Sequence, residues 1–259
     1  MASRLQAHLG FRIKYAYKKL WNEGFTTTGH FPMKLLNLIN IPLLLIDMGM
    51  KKITPQLAEI IGLLCAEGCH VLTYSSYWCK DRGKARFRVN DRSERIEFTN
   101  KDLRLLNHFR KLLIMEFDYK TKVTKHYKVN ICKVNTIRQI LALTNIGHLK
   151  WRVPKSILEG NEEVKKSFIR GYFDGDGSVS NCIRFFSTNK HGLKKVLEIL
   201  KSLGFSAYFE KPVIKENRKD LYIIHIPNKQ RERFLSLIQP VSKTPGNAGV
   251  IHKQKFVNP

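Results

Sequence analysis

"IIGLLCAEG" at 60–68 and "IRGYFDGDG" at 169–177 are two copies of one pattern. Each is apolar for about two helical turns, carries small residues four apart and ends on a carboxylate followed by glycine: Gly62, Ala66 and Glu67 in the first, Gly171, Gly175 and Asp176 in the second. Small residues at i and i+4 share one helix face and let two backbones approach closely. A carboxylate at a helix C-terminus opposes the partial negative charge of the last carbonyls, and two carboxylates together repel. If the two helices pair in parallel, Glu67 and Asp176 meet at one end and require a cation. Hard oxygen ligands beside open carbonyls suit Mg²⁺ (or Mn²⁺), which takes one or two protein carboxylates plus substrate phosphates. Gly68 and Gly177 are expected to end the helices in the left-handed conformation.

The duplication extends beyond the motif. "IEFTNKDLRLLNHFRKLL" at 96–113 is echoed by "FFSTNKHGLKKVLEILKSLG" at 185–204. The shared Thr-Asn-Lys stands where a helix is capped. Leu103, Leu106, Phe109 and Leu113 match Leu193, Val196, Leu197 and Leu200 at helical spacing. Gly68 to Thr99 spans 31 positions and Gly177 to Thr188 only 11, so the first copy carries about twenty additional residues. "DYKTKVTKHYKVNIC" and "SAYFEKPVIKENRKDLYIIHI" each read as a two-stranded ribbon, and "VNTIRQILAL" and "NKQRERFLSLI" as closing helices. Without strict βαβ alternation, this is an α+β fold of two αββαββα units with antiparallel sheets, packed through the two motif helices. The expected division is a basic lead-in at 1–55, a first unit at 56–150, a connection at 151–160 and a second unit at 161–259.

Composition narrows the partner. Lys+Arg number 46 against 21 Asp+Glu, a formal charge of +25, while 43% of the 259 residues are apolar. A folded chain with such a field attracts polyanions, and nucleic acid is the leading candidate. Five cysteines, without a CxxC pair, argue against a disulfide framework and for a reducing intracellular compartment, an organelle matrix or a prokaryotic cytoplasm. Cys65, Cys69, His70 and Cys79 do not have the spacing of a zinc site. The apolar stretch from Leu35 to Met50 is interrupted by Asn37, Asn40, Pro42 and Asp47 and is too short to span a bilayer.

With both motifs and their downstream echoes in place, residues 57–259 resemble the LAGLIDADG homing endonucleases in their single-chain, two-motif form. The resemblance implies a pseudo-symmetric monomer whose saddle-shaped sheets straddle double-stranded DNA and which hydrolyses both strands with a divalent metal, in support of intron homing. It places Glu67 and Asp176 as the metal-binding acids, with the carbonyls of Ala66 and Gly175 beside them. It also implies one basic residue per half assisting catalysis. "LKWRVP" offers Lys150 and Arg152, of which Lys150 is preferred, and "HKQKFVNP" offers Lys253 and Lys255, of which Lys255 is preferred. Glu67 stands where the family usually has Asp, and Cys65 where it often has Asp at the sixth position, a helix-end structural place.

The DNA-reading residues follow from strand alternation. In "KARFRV", Lys84, Arg86 and Arg88 fall on one face and Ala85, Phe87 and Val89 on the other. Lys120, Lys122, Lys128 and Asn130 repeat the pattern, and Arg184 and Lys211, with Lys215, supply a thinner set in the second half. Trp21, Trp78 and Trp151 read first as core and only then as base-stacking platforms. The alternative function on the same fold is an RNA-binding intron maturase, which would bind intron RNA and not need the acids. The chain neither opens on a splicing Cys or Ser nor closes on His-Asn, so an intact intein is not expected.

Overall fold

The computed structural model describes residues 53–243 apart from positions 82, 148, 215, 217 and 218. The elements in order are helix α1 (Pro55–Glu67), strands β1 (Gly68–Asp81) and β2 (Lys84–Thr99), helix α2 (Leu103–Phe117), strand β3 (Lys128–Ile131) and helix α3 (Val134–Leu143). A short helix α4 (Lys155–Leu158) leads to α5 (Glu162–Asp176), β4 (Gly177–Val179), β5 (Ile183–Ser187), α6 (Lys190–Ser202), β6 (Tyr208–Phe209), β7 (Tyr222–Ile226) and α7 (Arg231–Ile238). The second run is αββαββα. The first lacks one strand, because Val123 makes only an isolated bridge to Val129, so "DYKTKVTKHYKVNIC" contributes a single strand. Both sheets are antiparallel, ordered β1-β2-β3 and β4-β5-β7-β6.

Local chemistry starts the two motif helices. Thr54 accepts a hydrogen bond from the Leu57 N–H at 3.0 Å, with Pro55 in the first turn of α1. Asn161 accepts from Val164 N–H at 3.0 Å, and Glu162 and Glu163 occupy the favourable N-terminal turn of α5. The cap of α2 differs from expectation: Asp102, not the Thr-Asn pair, accepts from Arg104 N–H at 2.9 Å, while Asn100 accepts from Asp102 N–H at 2.8 Å. In the second copy Asn189 caps α6, accepting from Gly192 N–H at 3.0 Å. Leu103, placed on the apolar stripe by spacing alone, is exposed at the start of α2.

The two motif helices pack directly on each other. A Cβ built on Gly62 would lie 2.3 Å from the carbonyl oxygen of Phe168, one on Gly171 2.3 Å from that of Glu59, and one on Gly175 2.4 Å from the Ala66 Cβ. Gly62 sits between Phe168 and Tyr172, Gly171 between Glu59 and Leu63, and one turn further on Ala66 meets Gly175, so the helices run parallel, as expected. Helix α1 serves two cores at once. Ile60, Leu63 and Leu64 join the cluster of Ile96, Phe98, Phe109, Val129 and Ile131, whereas Ala58, Ile61 and Cys65 join that of Phe168, Tyr172, Phe173, Phe185 and Phe234. That explains why α1 is apolar almost all round.

Glu59 is buried beside this seam and fully engaged: His108 Nε2 lies 2.6 Å from Oε1 and Arg170 Nη1 donates to Oε2 at 3.1 Å. Arg170 Nε also donates to the Ile238 carbonyl at 2.7 Å, tying α1, α5 and α7 together. No helix among the described residues is long and apolar enough to cross a membrane.

Candidate active site and nucleic-acid face

Because the helices are parallel and in register at Ala66 and Gly175, their last residues, Glu67 and Asp176, arrive at one end and line a single open cleft. Cys69, Gly147, Trp151 and Thr188 are among the residues of its walls. Burial, then the charge of Glu67, pushes the Asp176 carboxyl up to about 7. Burial likewise raises that of Glu67, with Lys243 opposing the shift. Each acid therefore resists ionisation until a cation compensates it.

Gly68 and Gly177 end the helices differently from expectation. Both are extended, at φ −84° and −93°, and their amides still donate to Leu64 O and Phe173 O. Glycine is required there by space: a Cβ would lie 2.3 Å from the Leu64 oxygen at Gly68 and 2.1 Å from the Phe173 ring at Gly177. The close return of the chain over its own last turn leaves no room for a side chain, and no positive φ is involved.

A cation already stands at this end. Lys243 Nζ donates to the Gly175 carbonyl at 3.1 Å and to the Gly177 carbonyl, with the charges of Asp174, Asp176 and Glu67 around it. Burial lowers the Lys243 pKa and those three acids oppose the fall. Asp174 holds the segment that delivers it, accepting from the N–H groups of Val241 (2.9 Å) and Ser242 (2.8 Å) and from Ser242 Oγ (2.8 Å). The sixth motif position is thus a strap in the second copy. In the first copy Cys65 is buried against Thr144, and burial pushes its thiol up to about 12.

The basic residues preferred from sequence fare unevenly. Lys255 and Lys253 lie outside the described residues. Lys150 is exposed, its backbone N–H bonded to the Gly147 carbonyl at 2.9 Å, and it does not line the cleft. Arg152 is also exposed, while Trp151 between them is buried and lines the cleft. Lys243 was missed because it follows the closing helix α7 after Gln239, at left-handed φ 52°, and Pro240. Comparing the ends of the two closing helices, where α3 gives way to Thr144 and α7 to Pro240, would have drawn attention to it.

As donors, two carboxylates and terminal carbonyls form a hard-oxygen set, and the ammonium on Gly175 marks the place as one that stabilises positive charge. The set fits a small divalent cation. The Gly175 carbonyl, assigned to the metal from sequence, instead accepts from Lys243. The Ala66 carbonyl belongs to the last turn of α1, whose oxygens have no partner further along the helix.

The sheets carry the cations. Strand pairing sets Tyr77 opposite Arg88, Cys79 opposite Arg86 and Asp81 opposite Lys84, so the three cations share one face as expected. The other face is not half-buried. Trp78 is 72% exposed, Phe87 47% and Val89 67%, since among the described residues the β1–β2 ribbon has no third strand beyond β3. Trp78 therefore departs from the core expectation and packs its ring on Phe87, with ring centroids 5.2 Å apart, whereas Trp151 is buried as expected. Lys120, Lys122 and Lys211 are exposed.

Lys128 donates to Glu97 at 2.8 Å, and Arg184 Nε to Glu210 at 3.0 Å. Bonds from Lys128 and Arg95 hold the Glu97 carboxyl below its usual range. At Glu210 burial works upward, but the bonds from His225 and Arg184 prevail.

Comparison with known proteins accords with this geometry. Residues 163–239 match the model of the LAGLIDADG-like domain. A crystal structure of I-DmoI in complex with DNA and Mn superposes with a TM-score of 0.51 at 21% identity, covering 71% of this chain and 96% of that one. I-DmoI with DNA and Ca gives 0.52 at 20%, covering 75% and 95%. Among curated sequences, a DNA polymerase of Acanthamoeba polyphaga mimivirus is 26% identical over 194 residues, which is 70% of this chain but 10% of the polymerase. A probable cell division protein WhiA of Clostridium botulinum is 32% identical over 99 residues, 36% of this chain and 29% of that protein. The chain thus spans less than a third of the curated relatives it matches. Residues 163–239 thus match a LAGLIDADG-like domain, and the described residues share the fold of I-DmoI, with both motif helices at its centre.

Proposed function

We propose that this chain is a site-specific, divalent-metal-dependent DNA endonuclease that cuts both strands of a long target, works as a monomer and supports intron homing. The observation that carries the reading is the meeting of Glu67 and Asp176, from duplicated helices, in one cleft, with both carboxyls pushed toward the protonated form. Two acids forced together at helix ends are costly unless a cation is part of the working state.

Glu67 and Asp176 would hold Mg²⁺ or Mn²⁺, with the Ala66 carbonyl at the edge of the set. When bound, such an ion polarises a phosphodiester and makes water a better nucleophile. Lys243 sets a fixed positive charge beside the acids, positioned by the Asp174 strap, and stabilises negative charge growing on the phosphate. The ribbon cations Lys84, Arg86 and Arg88, with Lys120, Lys122 and Lys211, grip the phosphate backbone. In this reading the lead-in at 1–55 adds basic contacts, the units at 56–150 and 161–259 address the two halves of the target, and the five free cysteines accord with a reducing intracellular compartment.

The test is cleavage of a duplex carrying the uninterrupted insertion site, in Mg²⁺, by the full chain and by Glu67→Gln and Asp176→Asn. Each substitution should lower the rate by at least about a thousandfold while binding to the same duplex in Ca²⁺ persists, as expected for loss of charge stabilisation in the transition state. Cutting that survives both changes refutes the site. Splicing of an intron RNA by both variants, without any cleavage by the parent, establishes the maturase instead.

A further inference from the structure

The repeat register that pairs "IEFTNK" at 96–101 with "FFSTNK" at 185–190 also pairs the residue before each, Arg95 with Arg184. Both lie on the central region of their sheets, on the face turned away from the core, since Ile96 and Phe98, like Ile183 and Phe185, point inward and are fully buried. Both arginines bond a glutamate through the same atom: Arg95 Nε donates to Glu97 at 2.6 Å and Arg184 Nε to Glu210 at 3.0 Å. A second basic side chain from the neighbouring strand completes each group, Lys128 on Glu97 at 2.8 Å and His225 on Glu210 at 2.8 Å.

The glutamates come from different places. Glu97 lies two residues along the same strand, whereas Glu210 follows β6 and reaches across the sheet. The brace is therefore not a relic of the duplication but arises separately in each half. A carboxylate on a face meant for a polyanion weakens phosphate attraction, and ion pairs whose arginine stays a third or more exposed are largely screened and add little stability. What the brace does supply is orientation. It occupies Nε and leaves the Nη1/Nη2 edge as a fixed fork, the shape that meets guanine O6 and N7 in the major groove. The ribbon cations differ: Arg86 and Arg88 have carboxylates only at 3.7 Å, and Lys84 sits beside them on the free ribbon, as suits phosphate contacts.

We propose that Arg95 and Arg184 are this chain's matched base-reading residues, each recognising a guanine at pseudo-symmetric positions in the two halves of the target. The proposal rests on the duplex-DNA reading above. Its test is enrichment of a randomised duplex library by the full chain in Ca²⁺, compared with Arg95→Ala, Arg184→Ala, Arg184→Lys and the ribbon control Arg86→Ala, each checked for folding by circular dichroism. The parent should enrich a sequence with a guanine preference of about tenfold or more at two positions mirrored about its centre. Arg95→Ala should erase one preference and Arg184→Ala the other, to less than about twofold, with neighbouring positions unchanged. Arg184→Lys keeps the charge but not the fork, and should lose the same preference without a change in salt dependence. Arg86→Ala should weaken binding across all sequences and lower the salt slope by about one.

If the arginine variants keep the full consensus and bind more weakly throughout, both are phosphate contacts and the inference is overturned while the DNA reading stands. If the parent itself enriches no duplex sequence, both fall.

Discussion

At the scale of single residues, the chemistry concentrates on Asp176 and Lys243. Asp176 carries a pKa raised to about 7 in the fold, against an ordinary carboxyl value when unfolded. The folded protein thus holds a proton that the unfolded chain gives up between about pH 4 and pH 7, so stability without divalent metal falls as pH rises through that window and stays low above it. Asp176→Asn should remove this component, raising the melting temperature at pH 8 in a chelator by on the order of 5 °C and flattening its fall from pH 4 to 7. Thermal scans across pH check both, and an unchanged pH dependence would contradict the buried, repelled carboxyl. Lys243→Met preserves the aliphatic stem and removes the charge from the Gly175 and Gly177 carbonyls. It should reduce Mg²⁺-dependent cleavage by roughly a hundredfold or more with little change in duplex binding, the signature of charge stabilisation specific to the transition state.

At the scale of elements, the motif-helix pair and the free ribbon make opposite demands. A methyl group on Gly171 would lie 2.3 Å from the Glu59 carbonyl oxygen, and backbone cannot step aside as a flexible side chain does. Gly171→Ala should therefore cost roughly 2–4 kcal/mol by forcing the helices apart, measurable as a lower urea midpoint. The same change widens the gap between Glu67 and Asp176, so activity should fall below what lost stability alone explains. The ribbon beyond Ser75 and Asp91 buries almost nothing. Replacing residues 76–90 by a two-residue Asn-Gly turn should leave the melting temperature within a few degrees, while lowering the salt slope of DNA binding by about two to three as its cations are lost. A collapse in stability would show instead that the ribbon packs on something within the chain.

At the scale of the whole molecule, charge and symmetry act together. A +25 chain that neutralises about six to ten phosphates should show log K falling with log[salt] at a slope of about −5 to −9, read by fluorescence anisotropy with a labelled duplex. A slope near −1 would remove the long-groove reading. The two halves are similar but not equal: the first carries the long ribbon and a three-stranded sheet, the second a four-stranded sheet.

What the sequence determined by itself is whatever repeats or alternates locally: the two motif helices, the glycine seam, the identity of Glu67 and Asp176, and the one-faced run of Lys84, Arg86 and Arg88. Each is legible because helical and strand periods convert spacing into a face, and because a duplicated pattern reveals what a single copy conceals. Other features were decided only in three dimensions. The second-half cation at the acids is Lys243, since its place depends on how the chain turns at Gln239 and Pro240 and on Asp174 strapping it down. Gly68 and Gly177 answer to a carbonyl and a ring pressed close, not to a left-handed turn, and spacing cannot distinguish these. Trp78 is exposed because among the described residues no third strand lies beside its part of the ribbon, a fact of sheet order rather than of alternation. The glutamates that aim Arg95 and Arg184 lie at unrelated sequence distances, two residues in one case and twenty-six in the other, so only folding brings them to the same atom.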